Sequence, residues 1–502
     1  MQEFDVAIIG SGMGGLVCGN LLSKEGLRVC IIEKNKQVGG CLQTFVRDKI
    51  IFDSGVHYIG GLEKGQNLFQ ILQYLGVMDK LKIEKLNEDA FDKVIVDGDS
   101  NEYPLAQGYE NFIKKLTAFF PDEEAAIRKY CDAIKDICSK FPLYNLTVNG
   151  NLEEKNSTMN IGAKDFIESI TSNKKLQEVL AGNNLLYVGY PETPFYIHAL
   201  ILNSYIESAY KCVNGGSQLA KIMVQNIRRN GGEILRNSEI KKIHADGDRV
   251  DYIETNKGKR IYATNFISNA HPVKTMELID SPLIRTAYRS RLKSLKNTVS
   301  SFCVHIVLKE KAVRYVNSNY YFLKPGHVWT MADYKEYEWP LGYALFYTHS
   351  VKSNEYADSV TIFTCMKYEE FEQWQDTFNT VSDESDRGEG YEQFKRKKAE
   401  QLIDIVSERF PGFSNAIENY YTTSPLSYRD YIGTDDGSLY GVAKDYRDSV
   451  KTFISSRTKL QNLFLTGQNL NVHGILGTAI SALLTCILLT GDDSMVEKIR
   501  NA

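Results

Sequence analysis

None of the nine cysteines (18, 30, 41, 131, 138, 212, 303, 365 and 486) belongs to a C-x-x-C pair. Zinc-ribbon and dithiol redox chemistry are therefore excluded. The odd count points to reduced thiols and a cytoplasmic compartment rather than a disulfide scaffold. A strand begins at Phe4, which leaves no room for the basic and apolar regions of a signal peptide. The longest late apolar run, Thr478 to Thr490, is too short to span a bilayer and reads as a buried helix. Association with a membrane surface, for substrate access, stays open. Charge of one sign is also lacking. A net charge of −4 over 502 residues gives no strong pull toward nucleic acid or anionic lipid. There is no internal repeat and no low-complexity segment. The acidic stretch near 381–389, starting Val381-Ser382-Asp383-Glu384, reads as a solvated surface excursion.

What is present is an ordinary globular composition, 43% hydrophobic and 24% charged, in a chain long enough for two domains. The fold class expected is α/β. Phe4 to Ile9 and Arg28 to Glu33 are short apolar strands, and residues 14–25 between them form a helix stopped at Gly26. Together they make a βαβ unit. Residues 66–180 are expected to be mainly helical, with further helices at 194–208 and 217–230. A strand-rich region over 299–366 and a charged helix over 390–409 follow. The chain ends in strand, glycine loop and helix.

The turn between the first strand and helix is Gly10-Ser11-Gly12-Met13-Gly14-Gly15, a G-x-G-x-x-G in its proper place. Gly10 allows the tight turn, Gly12 lets the backbone approach a pyrophosphate, and Gly15 lets helix and strand pack closely. The helix N-terminus, with Met13 and Gly14, offers free N–H groups and a positive dipole end to phosphate. Glu33 closes the second strand. A carboxylate there can accept both hydroxyls of an adenosine ribose and disfavours a 2′-phosphate. Lys34 follows it. A glycine turn without a ligand is the alternative, and this spacing of strand, helix and acid argues against it.

Gly39-Gly40 comes just after, leading to Cys41 and Thr44. A second glycine pair there suits a loop covering the pyrophosphate of FAD, which a nicotinamide-only domain does not need. Gly55-Val56-His57-Tyr58 suggests close backbone approach to a flat ligand. His57 and Tyr58 could supply a proton, although a structural histidine is the plainer role for His57. Far along the chain, Thr466-Gly467-Gln468-Asn469 and Gly474-Ile475 repeat the pattern of strand, glycine and helix start. A second helix N-terminus would then meet the pyrimidine edge of a flavin, where reduced flavin carries negative charge. The strand from Ser238 to Ile243, through Ile240, could pack on adenine. No second G-x-G-x-x-G follows a strand, so no dedicated nicotinamide domain is expected. NAD(P)H could act only as a transient electron donor.

These residues carry a resemblance. Gly39 to Phe45 with Phe52 to Gly60, Tyr205 to Gly216, Ile267 to Ala270, and Gly467 to Leu470 look like the matching stretches of the retinol saturase (all-trans-retinol 13,14-reductase) family. Gly437-Ser438-Leu439-Tyr440-Gly441 is similar to a segment of carotenoid isomerases and phytoene desaturases. The resemblance implies one FAD and an amine-oxidase-like, discontinuous Rossmann-type FAD domain with a mixed α+β substrate domain. It implies hydride exchange with a carbon–carbon double bond of a hydrophobic isoprenoid or polyene, as a saturase. His57, Tyr58 and Tyr440 are the candidate proton donors. The chain departs from the pattern at Gln468, where many relatives carry an acid, and at Cys41, where many carry arginine. The cofactor domain is expected over 1–65, 211–285 and 455–502, and the substrate domain over 66–210 and 286–454. Desaturation and cis–trans isomerisation remain alternatives on the same fold. A flavin amine oxidase or a non-enzymatic isoprenoid chaperone is more distant. No metal site and no oligomeric state is indicated.

Overall fold

The computed structural model describes residues 3–149, 156–350, 353–380 and 386–502. Residues 381–385 of the acidic stretch lie outside them. Two sheets organise the chain. The first runs in the order Glu233–Leu235, Val29–Ile32, Phe4–Ile9, Arg260–Ser268, Arg249–Thr255, Ile240–Asp246 and Ile279–Asp280, with Leu463–Leu465 added on Arg260–Ser268. Its left half is parallel: Val6 pairs with Val29 and Phe4 with Ala263. A parallel sheet is covered on both faces, which is why Phe4–Ile9 is apolar almost without interruption. Successive side chains point to opposite sides. Val6 and Ile8 enter one core, and Ala7 and Ile9 enter another with Ile32, Ile243 and Leu465.

The first helix, Met13–Lys24, is buried at every position but Lys24. It lies between the helices Ser217–Arg229 and Gly474–Thr490. Gly10 ends the first strand at φ +90°, a conformation that glycine adopts without steric cost. Gly26, at φ +86°, follows the helix C-terminus as the sequence suggests.

The second sheet has seven strands, in the order Ile417–Thr423, Ser300–Leu308, Ser353–Met366, Gly342–Ser350, Asn319–Leu323, Asp92–Val96 and Tyr103–Leu105. The strand-rich region, the helices Phe195–Glu207 and Ser217–Arg229, and the helix Glu389–Arg409 fall where expected. The mainly helical reading of 66–180 needs correction. That stretch also contributes Ile83–Lys85, Asp92–Val96 and Tyr103–Leu105. An apolar run as short as Val94-Ile95-Val96 cannot be told from a buried helix segment by periodicity alone. What decides is the parallel pairing of Asp92–Val96 with Asn319–Leu323, residue Asp92 against Asn319. A small sheet of Ile59–Gly60, Ala209–Cys212 and Ile83–Lys85 links the two halves. One hydrophobic core runs through both, from Val6 to Ile499. No helix among the described residues is long and apolar enough to cross a membrane.

Candidate active site

The two glycine turns from opposite ends of the chain meet. A Cβ on Gly14 would lie 3.1 Å from the Gly467 Cα and 2.5 Å from Asn269 Oδ1. A Cβ on Gly12 would lie 2.9 Å from Asn269 Nδ2, and one on Gly467 2.6 Å from its Oδ1. Asn269 therefore stands where the turns converge, at the carboxyl end of the strand Arg260–Ser268. Its own N–H donates to the Ile9 carbonyl at 2.8 Å. Ligands of open α/β sheets bind beyond the carboxyl ends of strands, and that position is the signal by which Asn269 could have been singled out from sequence.

A cavity of about 710 Å³ opens at this junction. Gly10, Gly12, Met13, Gly14, Glu33, Lys34, Gly39, Gly40, Gly55, His57, Tyr58, Ile240, Tyr440, Gln468, Gly474 and Ile475 all line it. Three other expected residues do not. Gly15 is packed beneath the turn, where a Cβ would sit 2.0 Å from the Gly10 carbonyl oxygen. Gly467 abuts Asn269 behind the wall. Thr44 faces away and bonds its hydroxyl to Ser217 Oγ at 3.0 Å. Its closeness to Gly39-Gly40 in sequence is not closeness to the cavity, because the strand Thr44–Arg47 turns outward into a hairpin.

The cradle fits a dinucleotide. Glycines leave backbone at the wall where side chains would fill the space, and a helix N-terminus from each end of the chain borders it. Glu33 is buried and held rigidly. Its Oε2 accepts from Ser11 N–H at 3.0 Å and from Ser11 Oγ at 2.6 Å, and its Oε1 from Asn35 N–H at 2.8 Å. Of the roughly four acceptor positions on a carboxylate, three are taken. One is left for a ribose hydroxyl, fewer than the pair expected. Lys34 Nζ donates to the Asp430 carbonyl at 2.8 Å, and burial pulls its pKa down.

The three candidate proton donors differ. His57 stacks on Phe346 at 4.2 Å and 5°. Burial, with the Lys211 charge, pushes its pKa to about 3, so the imidazole is neutral. Tyr440 commits its hydroxyl to the Leu185 carbonyl at 3.0 Å and lies 4.9 Å from the His473 ring. Tyr58 donates to Asp92 Oδ2 at 2.7 Å and shares a 2.7 Å bond with the Tyr321 hydroxyl. Asp92 and Tyr321 escape sequence reasoning, since neither lies in a motif. A strand pairing across more than two hundred residues brings them to Tyr58.

A second cavity, about 800 Å³, adjoins the first and shares Tyr58, Leu186, Tyr205, Gly474 and Ile475 with it. Its walls are chiefly apolar: Leu68, Phe141, Leu143, Leu200, Ile201, Ile480 and Leu484. Val148, Val450 and Phe453 also border it and are 45%, 83% and 49% exposed. Two basic side chains stand in this lining. Lys444 Nζ donates to the carbonyls of Thr452, Asn469 and Leu470 at 2.9–3.0 Å, and burial lowers its pKa to about 7. His473, just before the last long helix, is held neutral by burial at about 3. Its Nε2 is buried without a hydrogen-bond partner.

Fold and cleft together define a Rossmann-type α/β fold of the amine-oxidase architecture. A family described as an NAD(P)-binding Rossmann-like domain matches residues 8–75. Wild-type putrescine oxidase bound to putrescine shares the fold at a TM-score of 0.65 and 12% identity, covering 98% of this chain and 100% of that one. The particular likeness is narrower. The chain is 27% identical to all-trans-retinol 13,14-reductase of Rattus norvegicus over 96% of its own length and 85% of the relative's. It is 22% identical to the chloroplastic prolycopene isomerase of Daucus carota, over 99% and 82%. These are the two groups to which the sequence motifs pointed.

Proposed function

We propose that this protein is an FAD-dependent oxidoreductase acting on carbon–carbon double bonds of a hydrophobic isoprenoid or polyene, in the reducing direction. One observation carries the reading. A glycine-lined cavity and a chiefly apolar one lie side by side and share Tyr58, Leu186, Tyr205 and Gly474-Ile475 in their walls. A flat cofactor in the first would present its reactive ring to a chain-like ligand in the second. The similarity to retinol 13,14-reductases supports the substrate class. Burying such a ligand contributes about 0.8 kcal/mol per CH₂, so an isoprenoid chain suits walls of this kind.

Bound FAD would supply hydride exchange. The chain's own residues do the rest. Gly12, Gly14 and the two helix N-termini hold the pyrophosphate and the flavin ring. Glu33 accepts from the ribose. His57, Phe346 and Phe363 line the cavity with packed rings. Tyr58 stands where the cavities join. The unpartnered His473 Nε2 is the natural contact for a polar end of the ligand, since a buried polar group without a partner costs about 1–3 kcal/mol. The exposed Val148, Val450 and Phe453 border the route by which an apolar molecule enters, and a membrane surface could meet them there. The electron donor docks transiently, and NAD(P)H is one candidate. The cofactor domain is proposed to comprise 1–65, 211–285 and 455–502, with the remainder as substrate domain. In support, every strand of the first sheet comes from those segments and every strand of the seven-stranded sheet from the others.

The test is direct. Purified protein should be yellow, with about one FAD per chain, and a colourless protein that FAD neither binds nor stabilises ends the reading. Incubation of reduced protein with all-trans-retinol should raise product mass by two hydrogens. A loss of two would favour a desaturase, unchanged mass an isomerase, and peroxide release with amines an amine oxidase.

A further inference from the structure

A reduction of C=C needs a proton as well as a hydride, and the fold holds an unassigned group of residues beside the cavity that is built to move one. We propose that Asp92, Tyr58 and Tyr321 form a proton relay, with Tyr321 Oη as the donor to substrate carbon and Asp92 as the reservoir behind it. The inference rests on the functional reading above and deepens it.

The geometry is a chain of three oxygens. Asp92 Oδ2 and Tyr58 Oη are 2.7 Å apart, and Tyr58 Oη and Tyr321 Oη are 2.7 Å apart. Both tyrosines line the cavity, whereas Asp92 is fully buried behind them. A hydroxyl has a single proton to donate. With Asp92 ionised, Tyr58 must donate to the carboxylate and Tyr321 to Tyr58, so no donor faces the cavity. With Asp92 protonated, the carboxyl donates to Tyr58 and Tyr58 to Tyr321. The Tyr321 O–H is then released toward the cavity. One proton on Asp92 therefore reverses the chain.

The surroundings favour that proton. Asp92 also accepts from Asn319 Nδ2 at 2.9 Å and Asn183 Nδ2 at 3.1 Å. Yet the Oδ1 atoms of both asparagines are buried without partners. The cluster has more acceptors than donors, so an added proton meets no clash. Burial raises the Asp92 pKa to about 6 against the bonds from Asn319, Tyr58 and Asn183. The other charged groups facing it are few. Lys211 donates to the Tyr347 carbonyl, and burial lowers its pKa to about 8. The His349–Glu84 pair lies behind Lys211. Tyr205 packs on Tyr58 at 4.7 Å.

The step balances. One alkene carbon takes a hydride, with its two electrons, from the reduced flavin, which is thereby oxidised. The neighbouring carbon takes the Tyr321 proton, forming a second C–H bond as the π bond breaks. Tyr321 oxygen recovers a proton from Tyr58, and Tyr58 from the Asp92 carboxyl. The carboxylate that remains is reprotonated from solvent between turnovers. Tyr321 is the catalytic residue in this scheme, and Tyr58 and Asp92 act through it.

The variants Tyr321→Phe, Tyr58→Phe and Asp92→Asn test it, each with flavin content and melting temperature measured. Reduction of all-trans-retinol by the reduced wild type should slow about tenfold per pH unit above pH 6. Tyr321→Phe should lose at least about 100-fold of the rate, the range of a general acid, with flavin content unchanged. Tyr58→Phe and Asp92→Asn should flatten the pH profile. Independently of turnover, the wild-type minus Asp92→Asn infrared difference spectrum, which cancels the buried Asp53 carboxyl, should contain a protonated-carboxyl band that disappears as pH rises through 6. The band should be missing in Asp92→Asn and retained in Tyr321→Phe. An active wild type whose rate and pH profile are unmoved by Tyr321→Phe overturns the relay, as does a wild-type minus Asp92→Asn difference spectrum that lacks the band. A wild type that binds FAD but reduces no polyene overturns the functional reading instead.

Discussion

The two ends of the joined cavity are built from different materials. At the nucleotide end the wall is main chain: glycines at 10, 12, 14, 39 and 40, with Asn269 wedged among them. At the tunnel end the wall is side chains, aliphatic from the helices Phe195–Glu207 and Gly474–Thr490, with tyrosines at the junction. On the proposed reading the first end would meet the pyrophosphate that every FAD carries, and backbone N–H groups suffice for that. The second end would select one ligand shape among many, and only side chains can vary enough to do so. Substitutions at the two ends should therefore separate cofactor retention from substrate handling.

The largest effect is expected where the ends of the chain meet. Gly14→Ala places a methyl 2.5 Å from Asn269 Oδ1 and 3.1 Å from the Gly467 Cα. Overpacking of this kind costs about 1–3 kcal/mol or more. Flavin per chain should fall to a small fraction of wild type, and full occupancy would show that the two turns do not form one wall. Glu33→Ala comes next. Removing a charge-assisted bond worth about 1.5–3 kcal/mol should weaken FAD about 10- to 100-fold on titration. Unchanged affinity would take Glu33 out of the site.

Leu200→Trp tests the opposite end. Leu200 is buried in the tunnel lining, so a larger ring there should lower polyene turnover about tenfold while flavin content stays at one per chain. Loss of flavin instead would mean that the ends are not separable. The smallest effect concerns acid. His57, His198, His305 and His473 are held neutral by burial, with pKa values of about 3 against an ordinary 6.5. Below pH 6.5 the unfolded chain binds protons that the folded one refuses, so stability present above 6.5 is lost as pH falls toward 3. The melting temperature should drop by several degrees from pH 7 to pH 5. A flat profile would show these rings to be accessible to protons in the folded state.

Legibility followed the same division. Phe4–Ile9 and Leu463–Leu465 stand in the structure as strands with the bounds read from sequence. The glycine turns were legible because their pattern lies in consecutive residues. Thr44 follows the glycine pair in sequence but bonds Ser217 and does not line the cavity, because nearness along the chain is not nearness in space. Asn269 carried a weak signal, as a polar residue ending a buried strand. Asp92 carried none. An aspartate opening a short apolar run reads as a solvated turn until a partner strand covers it.

Local sequence by itself determined the βαβ unit, the two glycine-opened helices and the polarity of the nucleotide cradle, because backbone conformation and helix dipoles are short-range properties of a dozen residues. Tertiary structure alone decided that Gly14 packs against Gly467, that an apolar cavity adjoins the glycine-lined one, and that Asp92, Tyr58 and Tyr321 are hydrogen-bonded in a row. These depend on the pairing of Asp92–Val96 with Asn319–Leu323 and on the packing of helices from opposite ends of the chain. Such long-range contacts are selected by burial of the whole core, and no window of sequence contains that information.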